Sequence, residues 1–247
     1  MFVSASTHCF ADRTFEEACA LFVELEYDKL ELWLSSHGPH LKPADVAKDP
    51  DQFFSHYRET TRLTAVGFCL AEDVPAATLA GITKAAKLLR VTQITIPASP
   101  LGTPFNTEVD RLREFVRLTS ADGIRLSIKT EGGRLTEDPH TAVELCQAVR
   151  GLGLTLDPSY YMMGNSAGRS YDQVFPYVYH THLRDSTSQS LQVQVGLGEL
   201  DYTRLINQLK RQGYNRALSV DLLPSPENAG ERPLELRKLR MLLDTLL

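Results

Sequence analysis

The chain has 247 residues, 43% hydrophobic and 23% charged, with 15 Gly, 13 Pro and a formal net charge of −5. That composition excludes disordered and fibrous classes, and the length suits one α/β barrel domain over residues 1–247 with a core that needs no staples. Against 31 Asp and Glu, the 26 Lys and Arg offer no field to gather phosphate backbones or anionic lipid, so neither nucleic acid nor a membrane is an expected partner.

Short apolar runs alternate with longer amphipathic ones along the whole chain, the pattern of βα units. The opening MFVSASTHCFADR shows neither a basic leader nor a long apolar run, and no stretch reaches the ~18 apolar residues of a membrane span. A cytoplasmic protein is expected. Strands are predicted at Phe2–Ser6, Lys29–Leu34, Leu63–Leu70, Val91–Pro97, Ile124–Thr130, Leu152–Asp157, Tyr179–Arg184 and Ala217–Leu223, each followed by a helical segment. Asp138-Pro139 and Asp201 supply helix starts, Gly213 a helix stop, and the leucines of 234–247 one apolar face to close on the first unit. An open doubly wound sheet usually carries a Gly-rich phosphate turn after its first strand, but here that turn reads Ser6-Thr7-His8-Cys9-Phe10, so a closed (β/α)8 TIM barrel is predicted. Cys9, Cys19, Cys69 and Cys146 form no CxxC pair and read as reduced thiols.

Residues of a strand alternate between two faces. In the fifth strand Leu126 and Ile128 oppose Arg125, Ser127, Lys129 and Glu131; in the sixth, Leu152, Leu154 and Leu156 oppose Gly153, Thr155 and Asp157; in the eighth, Leu218, Val220 and Leu222 oppose Ala217, Ser219 and Asp221. The apolar rows must pack on helices, so the polar rows face the barrel axis and carry ionisable groups to the carboxyl ends of the strands, where barrel enzymes place their sites. The inward set comprises His8, Glu31, Trp33, Lys129, Glu131, Asp157, His182, Arg184 and Asp221. Arg184 is expected to project into the mouth of the pocket, either to grip substrate oxygens or to form a rim salt bridge with Glu131 or a nearby acid, and His37, His40 and His56, in or after a loop, read as solvated.

The series Leu152-Gly-Leu-Thr-Leu-Asp-Pro-Ser159, His180-Thr-His-Leu-Arg-Asp185, Gly196-Leu-Gly-Glu-Leu-Asp-Tyr202 and Gly213-Tyr-Asn-Arg-Ala-Leu-Ser-Val-Asp221 resembles the second half of xylose-isomerase-like barrels, the family of sugar isomerases and epimerases. Lys29-Leu-Glu-Leu32 is similar to the end of that family's second strand. The resemblance implies four strand-end ligands, Glu, Asp, His and Glu, around a divalent metal, with the glutamates moving protons on a bound ketose. Carried over, the Asp is Asp157, the His is His182, the last Glu falls on Asp221 and the first on Lys129. A further histidine of the family is replaced by Tyr160 or Tyr161. An ammonium is no metal ligand unless deprotonated, and among Asp157 and Asp221 it takes the cation's electrostatic position. The expectation is therefore either no cofactor or a weakly bound Mn, Mg or Zn on Asp157, His182 and Asp221, with Glu131 the one candidate fourth ligand. Replacing Lys129 by Glu should restore tight binding.

The function implied is a sugar isomerase or epimerase acting on a small polyhydroxylated carbonyl compound, with Lys129, Asp157, His182 and Asp221 as catalytic residues and His8, Glu31, Trp33, Glu131 and Arg184 binding substrate. In its metal-free form Lys129 would stabilise an enediolate while Asp221 or Glu131, with a raised pKa, moved the proton. Two alternatives stand beside it: a catalytically inactive carbohydrate-binding barrel, and Schiff-base chemistry at Lys129.

Overall fold

The computed structural model describes residues 1–163 and 167–247. Among them, eight parallel strands close a barrel in sequence order: β1 Phe2–Ser6, β2 Lys29–Leu34, β3 Thr64–Leu70, β4 Gln93–Pro97, β5 Arg125–Lys129, β6 Leu152–Leu156, β7 Val178–Leu183 and β8 Ala217–Val220. Closure is made by β1, which pairs β2 at Ala5–Leu30 and Ser6–Glu31 and β8 from Phe2–Ala217 to Ala5–Val220. Helices stand between the strands, so the protein is a (β/α)8 TIM barrel.

The two-faced strands explain the layering. Leu30, Leu32 and Leu34 of β2, Leu126 and Ile128 of β5, Leu152, Leu154 and Leu156 of β6, and Leu218 and Val220 of β8 are all buried, and each such side chain stabilises the fold by about 1.5–3 kcal/mol. The opposite row stays polar because its members satisfy one another. Gln93 Nε2 donates to Ser127 Oγ at 2.6 Å, Ser127 Oγ lies 2.6 Å from Thr155 Oγ1, and Thr95 Oγ1 lies 2.7 Å from Thr155 Oγ1. Paired hydroxyls remove most of the cost of burying them, so the barrel axis tolerates a hydrophilic filling.

Local chemistry sets the helix ends. In α1 (Phe15–Glu24), Thr14 and Glu17 form a reciprocal capping box that satisfies two otherwise unpaired amides. The second unit carries two helices, α2 (Pro43–Lys48) and α3 (Pro50–Thr60), because Asp49 caps a fresh start at Pro50. After α4 (Ala76–Leu88) and α5 (Phe105–Ser120), α6 (Pro139–Ala148) starts as predicted, with Asp138 accepting from the Thr141 amide. The short α7 (Pro158–Met162) follows β6 directly and takes Asp157 as its cap. Asp201 caps α8 (Tyr202–Arg211), and Gly213 follows at φ +70°, a conformation glycine adopts without strain. The last helix, α9 (Arg232–Leu246), buries Leu236, Leu239 and Leu243 against β1 and β8, and Tyr27 Oη donates to the Leu236 carbonyl at 2.9 Å.

All four cysteines are free and buried, and no helix of the described residues is long and apolar enough to cross a membrane.

Candidate functional site: a cage of buried ions at the strand ends

Parallel pairing sets Lys129 beside Thr155 and His182 beside Ser219, with Asp157 and Asp221 two residues further along their chains, and the side chains of Lys129, Asp157, His182 and Asp221 converge there. They surround a guanidinium. Arg184 Nη2 donates to Asp157 Oδ2 at 2.7 Å and to Asp221 Oδ2 at 2.9 Å, and Arg184 Nε donates to the Asp221 carbonyl at 2.9 Å. Lys129 Nζ stands 3.4 Å from Asp221 Oδ2 and 4.0 Å from Asp157 Oδ2. Two carboxylates thus face two fixed cations, which is how buried charge is tolerated.

Both carboxylates are spoken for. The second oxygen of Asp157 accepts from the backbone amide of Ser159 at 3.2 Å and from the Ser159 hydroxyl. The second oxygen of Asp221 accepts from His8 Nδ1 at 2.7 Å. Burial opposes ionisation of Asp221, but Lys129, His8 and His182 outweigh it and hold its carboxyl well below the usual range. Burial likewise disfavours the Lys129 ammonium, yet Asp221 and Asp157 overcome it and raise the lysine above its ordinary value. The expected proton carrier with a raised pKa is therefore not Asp221, because its neighbours stabilise the charged form.

Three further placements differ from the sequence reading. Arg184 does not project into the pocket mouth. It is wholly buried, because Asp157 and Asp221, the residues that directly follow β6 and β8, draw its charge inward. Glu131 lies beyond the last residue of β5, is partly exposed and pairs with Arg134 Nε at 3.7 Å, so it stands outside both groups of converging metal-ligand atoms. His40 is buried rather than solvated, with Nε2 2.9 Å from Thr7 Oγ1 and Nδ1 3.2 Å from the Arg13 carbonyl. His37 and His56 are exposed, and His56 pairs with Glu16 at 2.9 Å.

Glu31 is buried under the cage, between two imidazoles. His182 Nε2 lies 2.8 Å from Glu31 Oε2, and His180 Nε2 lies 3.0 Å from Glu31 Oε1. Burial raises the Glu31 carboxyl, but His182 and His180 more than offset this and leave it well below the usual range. His180 was missed in the sequence although it shares the parity of His182 and Arg184 on β7; that parity was the available signal.

The cage opens on one side. His8 is 14% and Lys129 6% exposed, whereas Asp157, His182, Arg184 and Asp221 are at 0%. The His8 ring stacks on Trp33 at 4.0 Å between centroids, and Lys129 Nζ lies 5.9 Å from the centroids of both Trp33 and Tyr160. A cavity of about 550 Å³ lined by His8, Asp12, Trp33, Ser35, His37 and Ser225 lies against the His8–Trp33 stack at the edge of the cage, a size suited to a small molecule. A flank cavity of about 600 Å³ around Phe15, His40, Phe53 and His56 holds none of the caged ions.

Among the described residues, two groups of side chains have metal-ligand atoms within 4.8 Å of one another: Asp157, His182 and Asp221, and Glu31, His180 and His182. The first group is where the resemblance implies a metal. It does not fit one, because Arg184 already sits on an oxygen of each carboxylate and Lys129 lies within 4.0 Å of both. A divalent ion there would have to displace the guanidinium and face the ammonium at close range.

Among solved structures, the chain is similar to a xylose isomerase-like TIM barrel protein from Mycobacterium smegmatis in complex with magnesium, at 14% identity and TM-score 0.75 over 96% of this chain and 97% of that one. It is likewise similar to D-allulose 3-epimerase from Methylomonas sp. in complex with D-allulose, at 13% identity and TM-score 0.72 over 100% and 97%. A third is the probable 3-DHS dehydratase AsbF of Bacillus anthracis, involved in petrobactin synthesis, at 14% identity and TM-score 0.71 over 97% and 98%. At these identities the likeness is one of fold. No curated protein matches the chain. The family model described as xylose isomerase-like TIM barrel matches residues 19–239, nearly the whole barrel, and the chain belongs to that family.

Proposed function

We propose that this protein is a sugar isomerase or epimerase that acts on a small polyhydroxylated carbonyl compound through an enediolate, with its own cations in place of a strand-end metal. The observation that carries the reading is the shared use of Asp221: one oxygen holds His8 Nδ1 at 2.7 Å and the other faces Lys129 Nζ at 3.4 Å. The carboxylate thereby fixes a base and an electrophile beside the Trp33 ring. With Nδ1 engaged, His8 Nε2 is the nitrogen that takes and returns the proton α to the carbonyl. The Lys129 ammonium donates to the carbonyl oxygen and stabilises the negative charge that develops on it in a site of low dielectric. Trp33 and Tyr160 supply aromatic faces for the substrate's CH surface, and Ser35 and Ser225 supply hydroxyls for its oxygens.

The charge on Lys129 argues against the Schiff-base alternative, since Asp221 and Asp157 hold it protonated and a protonated amine is no nucleophile. Borohydride should trap no adduct. A sugar-binding barrel without turnover is the second reading, favoured by the full engagement of both Asp157 and Asp221. Incubation with a panel of ketoses and aldoses in deuterium oxide, followed by proton NMR, separates the two. Exchange of the α-proton, unaffected by added manganese or magnesium, is expected for the isomerase; saturable binding with no exchange for any sugar would leave the binding barrel.

A further inference from the structure

We propose that the protein binds a zinc ion one layer beneath the cage, on Glu31, His180 and His182, rather than at the strand-end position. The argument begins with His182, whose two ring nitrogens both face carboxylates. Nε2 lies 2.9 and 2.8 Å from the two Glu31 oxygens, and Nδ1 lies 3.4 Å from Asp221 Oδ2. A neutral imidazole has one N–H, so one of these contacts would set a lone pair against an anion. A metal on Nε2 resolves this by leaving Nδ1 as the N–H, on the side of Asp221 at 3.4 Å, the side from which an outer carboxylate orients a metal-bound histidine.

His180 gives an independent sign. Its Nε2 lies 3.0 Å from Glu31 Oε1 in a side chain only 2% exposed, yet among the described residues it has no hydrogen-bond partner of acceptable geometry. For His180, a short contact without donor alignment is what a lone pair aimed at an ion shows; His182 Nε2, in contrast, is aligned on both Glu31 oxygens, where the same ion would sit between them. Two imidazoles and a carboxylate, whose Oε2 also accepts from the Ser219 hydroxyl at 3.3 Å, form a nitrogen-rich set that suits zinc better than magnesium or manganese. Charge is compatible with either partner: the cage above is balanced between Asp157, Asp221, Lys129 and Arg184, so the buried carboxylate of Glu31 takes its positive partner from an imidazolium at His180 or His182 or from a metal ion. Since all three ligands are buried, the ion would be acquired as the chain folds and would anchor β2 to β7 across the barrel axis.

The rival is a doubly protonated His182 with no metal. Elemental analysis of protein produced with zinc and desalted over a weak chelator should find one zinc per chain. The ion should be lost in His180→Ala and Glu31→Gln and retained in Asp157→Asn, with circular dichroism confirming that each variant folds. Should a variant fail to fold, unmodified protein refolded with cobalt(II) gives a second measure, with the intense visible bands of a four- or five-coordinate ion expected. Metal-free folded protein with no such cobalt spectrum would overturn the proposal in favour of the imidazolium. Zinc that survives loss of His180 but not of Asp157 would overturn it in favour of the strand-end position.

Discussion

Arg184 Nη2 lies 2.7 Å from Asp157 Oδ2, and both side chains are wholly enclosed at the carboxyl end of the barrel. An Arg184→Met variant should lose about 3–5 kcal/mol in urea unfolding, because Asp157 would lose its closest cation and Asp221 one of its partners, both carboxylates staying buried. A loss below about 1 kcal/mol, the range of exposed pairs, would mean that water reaches the cage.

Acid should undo the same cage. The folded-state pKa of Asp221 is depressed, so its contribution is fully present above the unfolded carboxylate value of about 4 and is lost as pH falls below it. Thermal midpoints measured against pH should drop steeply in that range. An Asp221→Asn variant should start lower at neutral pH and show a shallower acid limb.

His8 and Trp33 should separate chemistry from binding. His8→Phe keeps a ring stacked on Trp33 and removes the nitrogens, so α-proton exchange should fall about 100- to 10,000-fold with sugar affinity little altered. Trp33→Ala should instead weaken binding, as titration calorimetry would read. Equal loss of affinity in both variants would assign His8 to binding alone.

Much of this site was legible in the sequence, and the residues that were not share a cause. Alternation in β5, β6 and β8 set Lys129, Asp157 and Asp221 on the inward face, and the shift from a ligand to an ammonium at Lys129 follows from residue type. Parity, however, gives only the direction of a side chain at its root. Arg184 is long enough to place its guanidinium between two carboxylates below the rim, so inward parity was compatible with the mouth and the interior alike. Glu131 kept inward parity only if β5 continued, and the strand ends at Lys129. His40 lies in a loop whose sequence reads as solvated, and its burial depends on Thr7 and Arg13 from another segment.

Lys129 and Arg184 together stand where a strand-end metal would bind, and manganese titration followed through water proton relaxation measures whether they keep the ion out. The structure alters one expectation: Lys129→Glu alone should not restore tight binding, because Arg184 remains on Asp157 and Asp221 and would pair with the new carboxylate. Weak binding is expected for the unmodified protein and for Lys129→Glu, and tight stoichiometric binding for Lys129→Glu combined with Arg184→Met. Tight stoichiometric manganese binding by the unmodified protein would contradict the account.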